Sequence, residues 1–160
     1  MNEHEQKMCE MQGEFFELSK SSFLCSSPFF VAKFMYSELA KKLDNIEDPY
    51  NFIGPSNMIF VMKGLFPSLN IEGYNKYPSR VLHWMGYIYR AYCLIKKKTS
   101  SWIYKELKAE ELFVLYDSFH TFSPEYCVER LEELINERKP APLTDYEIFK
   151  QIRERASNNS

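Results

Sequence analysis

From Ser79 to about Lys97 the apolar residues recur at helical spacing: Val81, Trp84, Met85, Ile88, Tyr92 and Ile95. Steps of three and four place them on one face of an α-helix. Pro78 precedes the segment and the run Lys96-Lys97-Lys98 closes it, where cations favour a helix C-terminus. A helix of this length needs partners, and the rest of the chain supplies the same period. Met8, Met11, Phe15 and Leu18 give a first amphipathic helix over residues 3–20, with Gly13 as its weak point.

Ser26-Ser27-Pro28 reads as a helix start, with Ser27 as the cap and Pro28 at the first helical position. The helix is expected to run from Pro28 to about Leu43. Phe29, Ala32, Tyr36, Leu39 and Leu43 form one stripe, and Phe30 and Phe34 lie on another side. A helix with two apolar faces is deeply buried or touches two partners. Asp48-Pro49 and Gly54-Pro55-Ser56 bound a loop. Ser56 is the expected cap of a helix through Met58, Ile59, Val61, Met62 and Leu65, which Pro67 ends. Residues 67–78 read as loop, with a short strand over Leu69–Ile71 as the one alternative.

The last third is a series of short helices. Thr99-Ser100-Ser101 caps one through Leu107, and another spans Ala109 to Ser118. Ser123-Pro124-Glu125 opens a third, with Val128, Leu131, Leu134 and Ile135. Pro140-Ala141-Pro142 breaks the chain. Thr144-Asp145-Tyr146-Glu147 is a capping box that opens a last helix with Ile148 and Ile152. The expected fold is all-α: a compact bundle of seven to eight helical segments in one domain, residues 1–156, with a disordered tail at 157–160. Only 5 glycines in 160 residues argue against a turn-dense β-sandwich.

Several function classes fall away. There is no G-x-S-x-G, H-E-x-x-H, P-loop or dinucleotide-binding glycine set. Cys9, Cys25, Cys93 and Cys127 are far apart, without a C-x-x-C pair, so free thiols are expected and neither zinc nor a disulfide framework. No metal or cofactor is expected. The net charge of −2 disfavours nucleic acid as a partner. Thr99–Leu107 faintly fits the entry of a helix-turn-helix, but its recognition helix would carry Glu110, Glu111 and Asp117, which oppose phosphate. The polar start, without a basic-then-apolar leader, and the lack of about 18 consecutive apolar residues predict a cytoplasmic chain with no membrane partner.

Two constellations remain. Arg80, His83, Tyr87 and Arg90 share one helical stripe, read as lying largely opposite the apolar face. Gly86 beside it permits close approach of another backbone. Two guanidiniums, an imidazole and a phenol suit a phosphate or a carboxylate-rich protein, and a solvated face paired with nearby acids is the plainer alternative. His120, in Ser118-Phe119-His120-Thr121-Phe122-Ser123, is either a proton carrier or a ring bonded to backbone at a helix junction.

Phe34-Met35-Tyr36-Ser37-Glu38-Leu39-Ala40 followed by Asp44, Trp84-Met85-Gly86-Tyr87-Ile88-Tyr89-Arg90, and Phe119-His120-Thr121 followed by Pro124-Glu125 stand in that order. In these phrases the chain resembles, over roughly Ser27 to Leu134, a family of short uncharacterised bacterial helical proteins found beside small toxin genes of ADP-ribosyltransferase type. Ala91 and then Tyr92 stand where that family's pattern has a bulky aromatic directly after Arg90. The resemblance implies an antitoxin-like or accessory subunit that masks a bacterial partner protein, and it carries no catalytic residue. Its expected contacts are Arg80, His83, Tyr87, Arg90, Phe30 and Phe34, aromatic and arginine residues being the usual interface anchors. The alternative expectation is a small enzyme that holds an anionic, phosphate-bearing substrate with arginine and moves a proton through His83 or His120.

Overall fold

The computed structural model describes residues 1–45, 47, 53–139 and 143–159. Among them are nine α-helices and no strand: α1 (Glu3–Ser22), α2 (Ser27–Met35), α3 (Glu38–Asp44), α4 (Pro55–Leu65), α5 (Ser79–Lys96), α6 (Ser100–Glu106), α7 (Ala109–Phe119), α8 (Pro124–Arg138) and α9 (Asp145–Asn158). The loop at Asp48-Pro49 and the break at Pro140-Ala141-Pro142 lie outside the described residues, as does Ser160. No described helix is long and apolar enough to cross a membrane.

The caps explain most boundaries. Ser26, Ser37, Thr99, Ser123 and Thr144 each accept a backbone N–H of the first turn of the helix they precede. Each satisfies one of the donors that a helix start leaves without an internal partner. Three expectations shift. Ser26 caps α2, which frees the Ser27 hydroxyl to accept the Tyr77 N–H at 2.9 Å. Gly54, with φ of 89°, precedes α4 in place of Ser56. The expected helix from Pro28 to Leu43 is two helices: the buried Ser37 hydroxyl donates to the Phe34 carbonyl at 2.7 Å and accepts from the Ala40 N–H at 3.1 Å, ending one helix and starting the next. Over residues 67–78, Pro67–Asn70 is a 3-10 turn in place of the strand, and the Leu69 carbonyl accepts the N–H groups of Leu24 and Cys25. At the C-terminus, α9 extends to Asn158, into the residues expected to be disordered.

The central helix is α5, and α1 lies against its length. Gly86 and Gly13 set the closeness of that contact. A Cβ on Gly86 would stand 2.5 Å from the Gln12 carbonyl oxygen, and one on Gly13 would stand 2.9 Å from that of His83. The close approach read at Gly86 is therefore made by the chain's own first helix. Between α1 and α2, Phe15, Phe16, Phe30 and Phe34 pack edge-to-face, with ring centroids 5.0–5.5 Å apart. Edge-to-face pairs of this kind add to the burial of the rings themselves. Trp84, expected in the core, is only partly buried and meets Tyr116 of α7 edge-to-face at 5.6 Å.

Candidate functional site: a protein-docking surface

The polar stripe of α5 is largely consumed inside the molecule. Arg90 is 1% exposed. Its Nε donates to Gln12 Oε1 at 2.9 Å, its Nη1 to Asp44 Oδ1 at 2.8 Å and its Nη2 to Ser100 Oγ at 3.0 Å. Gln12 in turn donates to the Gly86 carbonyl at 2.9 Å. Ser100 donates from its hydroxyl to Asp44 Oδ1 at 2.7 Å and from its N–H to Oδ2 at 2.9 Å. One guanidinium thus ties together α1, α3, α5 and the start of α6. A buried charge persists only when paired and hydrogen-bonded, and this one is both.

His83 lies between two carboxylates of α1, with Nε2 3.1 Å from Glu10 and Nδ1 3.2 Å from Glu17. Tyr87 is half-buried, and burial, with the neighbouring Cys9, Glu10 and Glu125, pushes its phenol above the ordinary value. Only Arg80 of the four is exposed. The expected contacts at Arg90, Phe30 and Phe34 are all buried inside the folded chain, not presented on its surface. A stripe that looks like a solvated face is, from His83 to Arg90, the face that α1 covers.

The groups proposed for catalysis are each engaged by different partners. His83 bonds to α1, while Arg90 is enclosed two turns further along α5, about 10 Å away at 1.5 Å per residue. His120 places Nδ1 2.7 Å from the Tyr116 carbonyl and stacks on the Tyr116 ring at 4.4 Å, which is the helix-junction role. The four thiols are buried, and burial pushes Cys9 and Cys127 up to about 12 and Cys93 to about 11. Such thiols are poor nucleophiles at neutral pH. A hollow of about 470 Å³ beside Cys93 is lined by His4, Glu5, Asp44, Lys97 and Lys98, but both Asp44 oxygens are engaged by Arg90 and Ser100. No group of three or more His, Cys, Asp or Glu side chains among the described residues is arranged to hold a metal ion.

The surface that stands out is α9. Its start is fixed by a complete capping box: Thr144 Oγ1 accepts the Glu147 N–H at 3.2 Å, and the Glu147 carboxylate accepts the Thr144 N–H at 3.0 Å. It has no buried residue. Tyr146 is 78% exposed, Phe149 71% and Ile152 61%, and Ile148 is also exposed. At 100° per residue Ile148, Phe149, Ile152 and Ala156 share one face, with Asp145 among them and Tyr146 at its margin. Arg153 lies between Phe149 and Tyr146, Lys150 beyond Tyr146 and Arg155 beside Ile148, with Glu147 and Glu154 behind. The sequence signal for this face is the apolar spacing around Ile148 and Ile152. What the spacing lacks is any sign that no described helix covers it. No family model, curated protein or solved structure matches the chain.

Proposed function

We propose that the protein is a non-enzymatic protein-binding module that presents α9 to a partner protein. The observation that carries this reading is the uncovered face Tyr146–Ile148–Phe149–Ile152 on a helix whose start is fully capped. An amphipathic helix seated in an apolar groove is a recurrent mode of recognition, read out by anchors at spacings of three and four. Lys150, Arg153 and Arg155 beside the anchors suit a groove with an acidic rim. The separate engagements of His83, Arg90 and His120 favour binding over the enzyme alternative. An antitoxin-like or accessory role, masking a bacterial partner by occlusion, is the form of this reading that the family resemblance implies. Affinity capture from the native host tests it. The wild-type chain is expected to retain a stoichiometric protein, and Phe149→Asp is expected to lose it. Equal capture by both chains would refute α9 as the docking element.

A further inference from the structure

A second exposed stripe lies on α7. Glu110, Phe113, Val114 and Asp117 are spaced three, one and three apart and share one face, and all four are exposed. Val114 is 76% exposed. Phe113 is held in place by stacking on the buried Tyr77, with ring centroids 4.5 Å apart. The stripe therefore has an apolar centre with a carboxylate at each end. The α9 face carries three cations beside its apolar residues, Lys150, Arg153 and Arg155, with the single acid Asp145 among them.

We infer that the α9 face is received by the α7 stripe of a second copy of this chain. The inference rests on the reading of α9 as a docking helix and names its partner. Three observations support it. The charges are opposite in balance: Glu110 and Asp117 on one surface, and Lys150, Arg153 and Arg155 against the single Asp145 on the other. The end of α8 lies beside the α7 surface: Arg138, the last residue of α8, donates to the Glu106 carbonyl at 3.3 Å and to the Glu111 carboxylate at 3.1 Å, next to the first turn of α7. A two-fold pair can then exchange both helices at once, each α9 crossing to the partner's α7.

The area is also sufficient. Tyr146 and Phe149 alone offer roughly 250–350 Å² per helix, from about 150–250 Å² for each fully buried ring. With the isoleucines and the matching surface of α7, two such contacts bury roughly 1,200–1,600 Å², within the range of about 1,200–2,000 Å² for stable interfaces.

Sedimentation equilibrium of the full chain at 1–100 µM tests the inference. The wild type is expected to be a dimer whose dissociation constant rises at least tenfold from low salt to 0.5 M salt. Phe149→Asp and Val114→Lys should each be monomeric with unchanged helical circular dichroism. An equimolar mixture of the two should associate more than either variant alone, through the one contact in which the α9 of one and the α7 of the other are intact, and more weakly than the wild type. Reversing the charges of Lys150 and Arg153 should weaken the dimer at least tenfold, and reversing Glu110 and Asp117 in the partner should restore it. A wild-type monomer at 100 µM would overturn the inference and leave capture of a different protein by α9 as a separate question. A dimer that survives Val114→Lys would also overturn it, because α9 would then be received elsewhere. So would a monomer in which Val114→Lys speeds amide exchange in α9, since that result means docking within one chain.

Discussion

Arg90 of α5 donates to Asp44 of α3 at 2.8 Å, with the Arg90 side chain 1% exposed and that of Asp44 12%. The pair holds the end of α3 against the start of α6, because Asp44 also accepts both the hydroxyl and the N–H of Ser100. Removing one partner of such a pair leaves a buried charge without compensation. Arg90→Ala is therefore expected to destabilise the chain by about 3–5 kcal/mol in urea unfolding. A loss under about 1 kcal/mol, the range of an exposed pair, would contradict the buried network.

Gly86 and Gly64 make a paired test of backbone approach. In a helix interior, Gly→Ala ordinarily stabilises by about 1 kcal/mol. A methyl group on Gly64 of α4 would meet nothing within 4 Å, so Gly64→Ala should raise stability by about that amount or somewhat less, since it lies in the last turn. Gly86→Ala would bring a methyl to 2.5 Å from the Gln12 carbonyl and 2.8 Å from the Phe16 ring. It should destabilise by about 1–3 kcal/mol, as overpacking does. Thermal or urea midpoints of the two variants should move in opposite directions, and movement in the same direction would mean that α1 and α5 are not in close contact.

Alkaline pH should unfold the protein. Burial pushes Tyr77 and Tyr92 up to about 12 from an ordinary 10.0. It pushes Tyr89 well above 10.0, and Cys9, Cys93 and Cys127 to about 12, 11 and 12 from 9.0. Groups raised in the folded state keep their protons when the unfolded chain has released them. Their contribution is complete below pH 9 and is lost as the pH rises towards 11–12. The urea midpoint should be level from pH 7 to 8.5 and fall steeply above pH 10. Thiol modification at pH 8 should proceed only as fast as the chain opens. A midpoint unchanged at pH 11 would contradict the burial of these groups.

The helices are legible in the sequence because their starts are written locally. Thr144 and Glu147, Ser123 and Pro124, and Thr99 each need only their own neighbours to act, and each does. The direction in which α5 faces is not legible. A helix covered on most sides has no single apolar stripe, and Arg90 at helical spacing from His83 looks the same whether water or Gln12 receives it. Phe30 and Phe34 are open between core and contact for the same reason, and the packing of α1 onto α2 decides for the core. On α9 the converse holds. Tyr146 and Phe149 have the spacing of a buried face, and only the arrangement of the other helices leaves them uncovered.

Stability should be indifferent to the α9 face. Phe149→Asp and Ile152→Asp are expected to change the unfolding free energy of the monomer by no more than about 0.5 kcal/mol, as for other surface sites. A loss of 2 kcal/mol or more would mean that α9 is part of the core.

Hydrogen exchange of the captured complex tests the central claim most directly, because it locates the docking surface on the chain. In the monomeric protein the amides of Tyr146–Asn158 should exchange quickly, since α9 buries no residue of its own chain. On complex formation they should slow at least tenfold, while those of α5, already enclosed by α1, stay as they were. Amides of α9 that exchange at the same rate in both states, with new protection around Arg80 and Tyr87, would contradict the account and return the binding surface to α5.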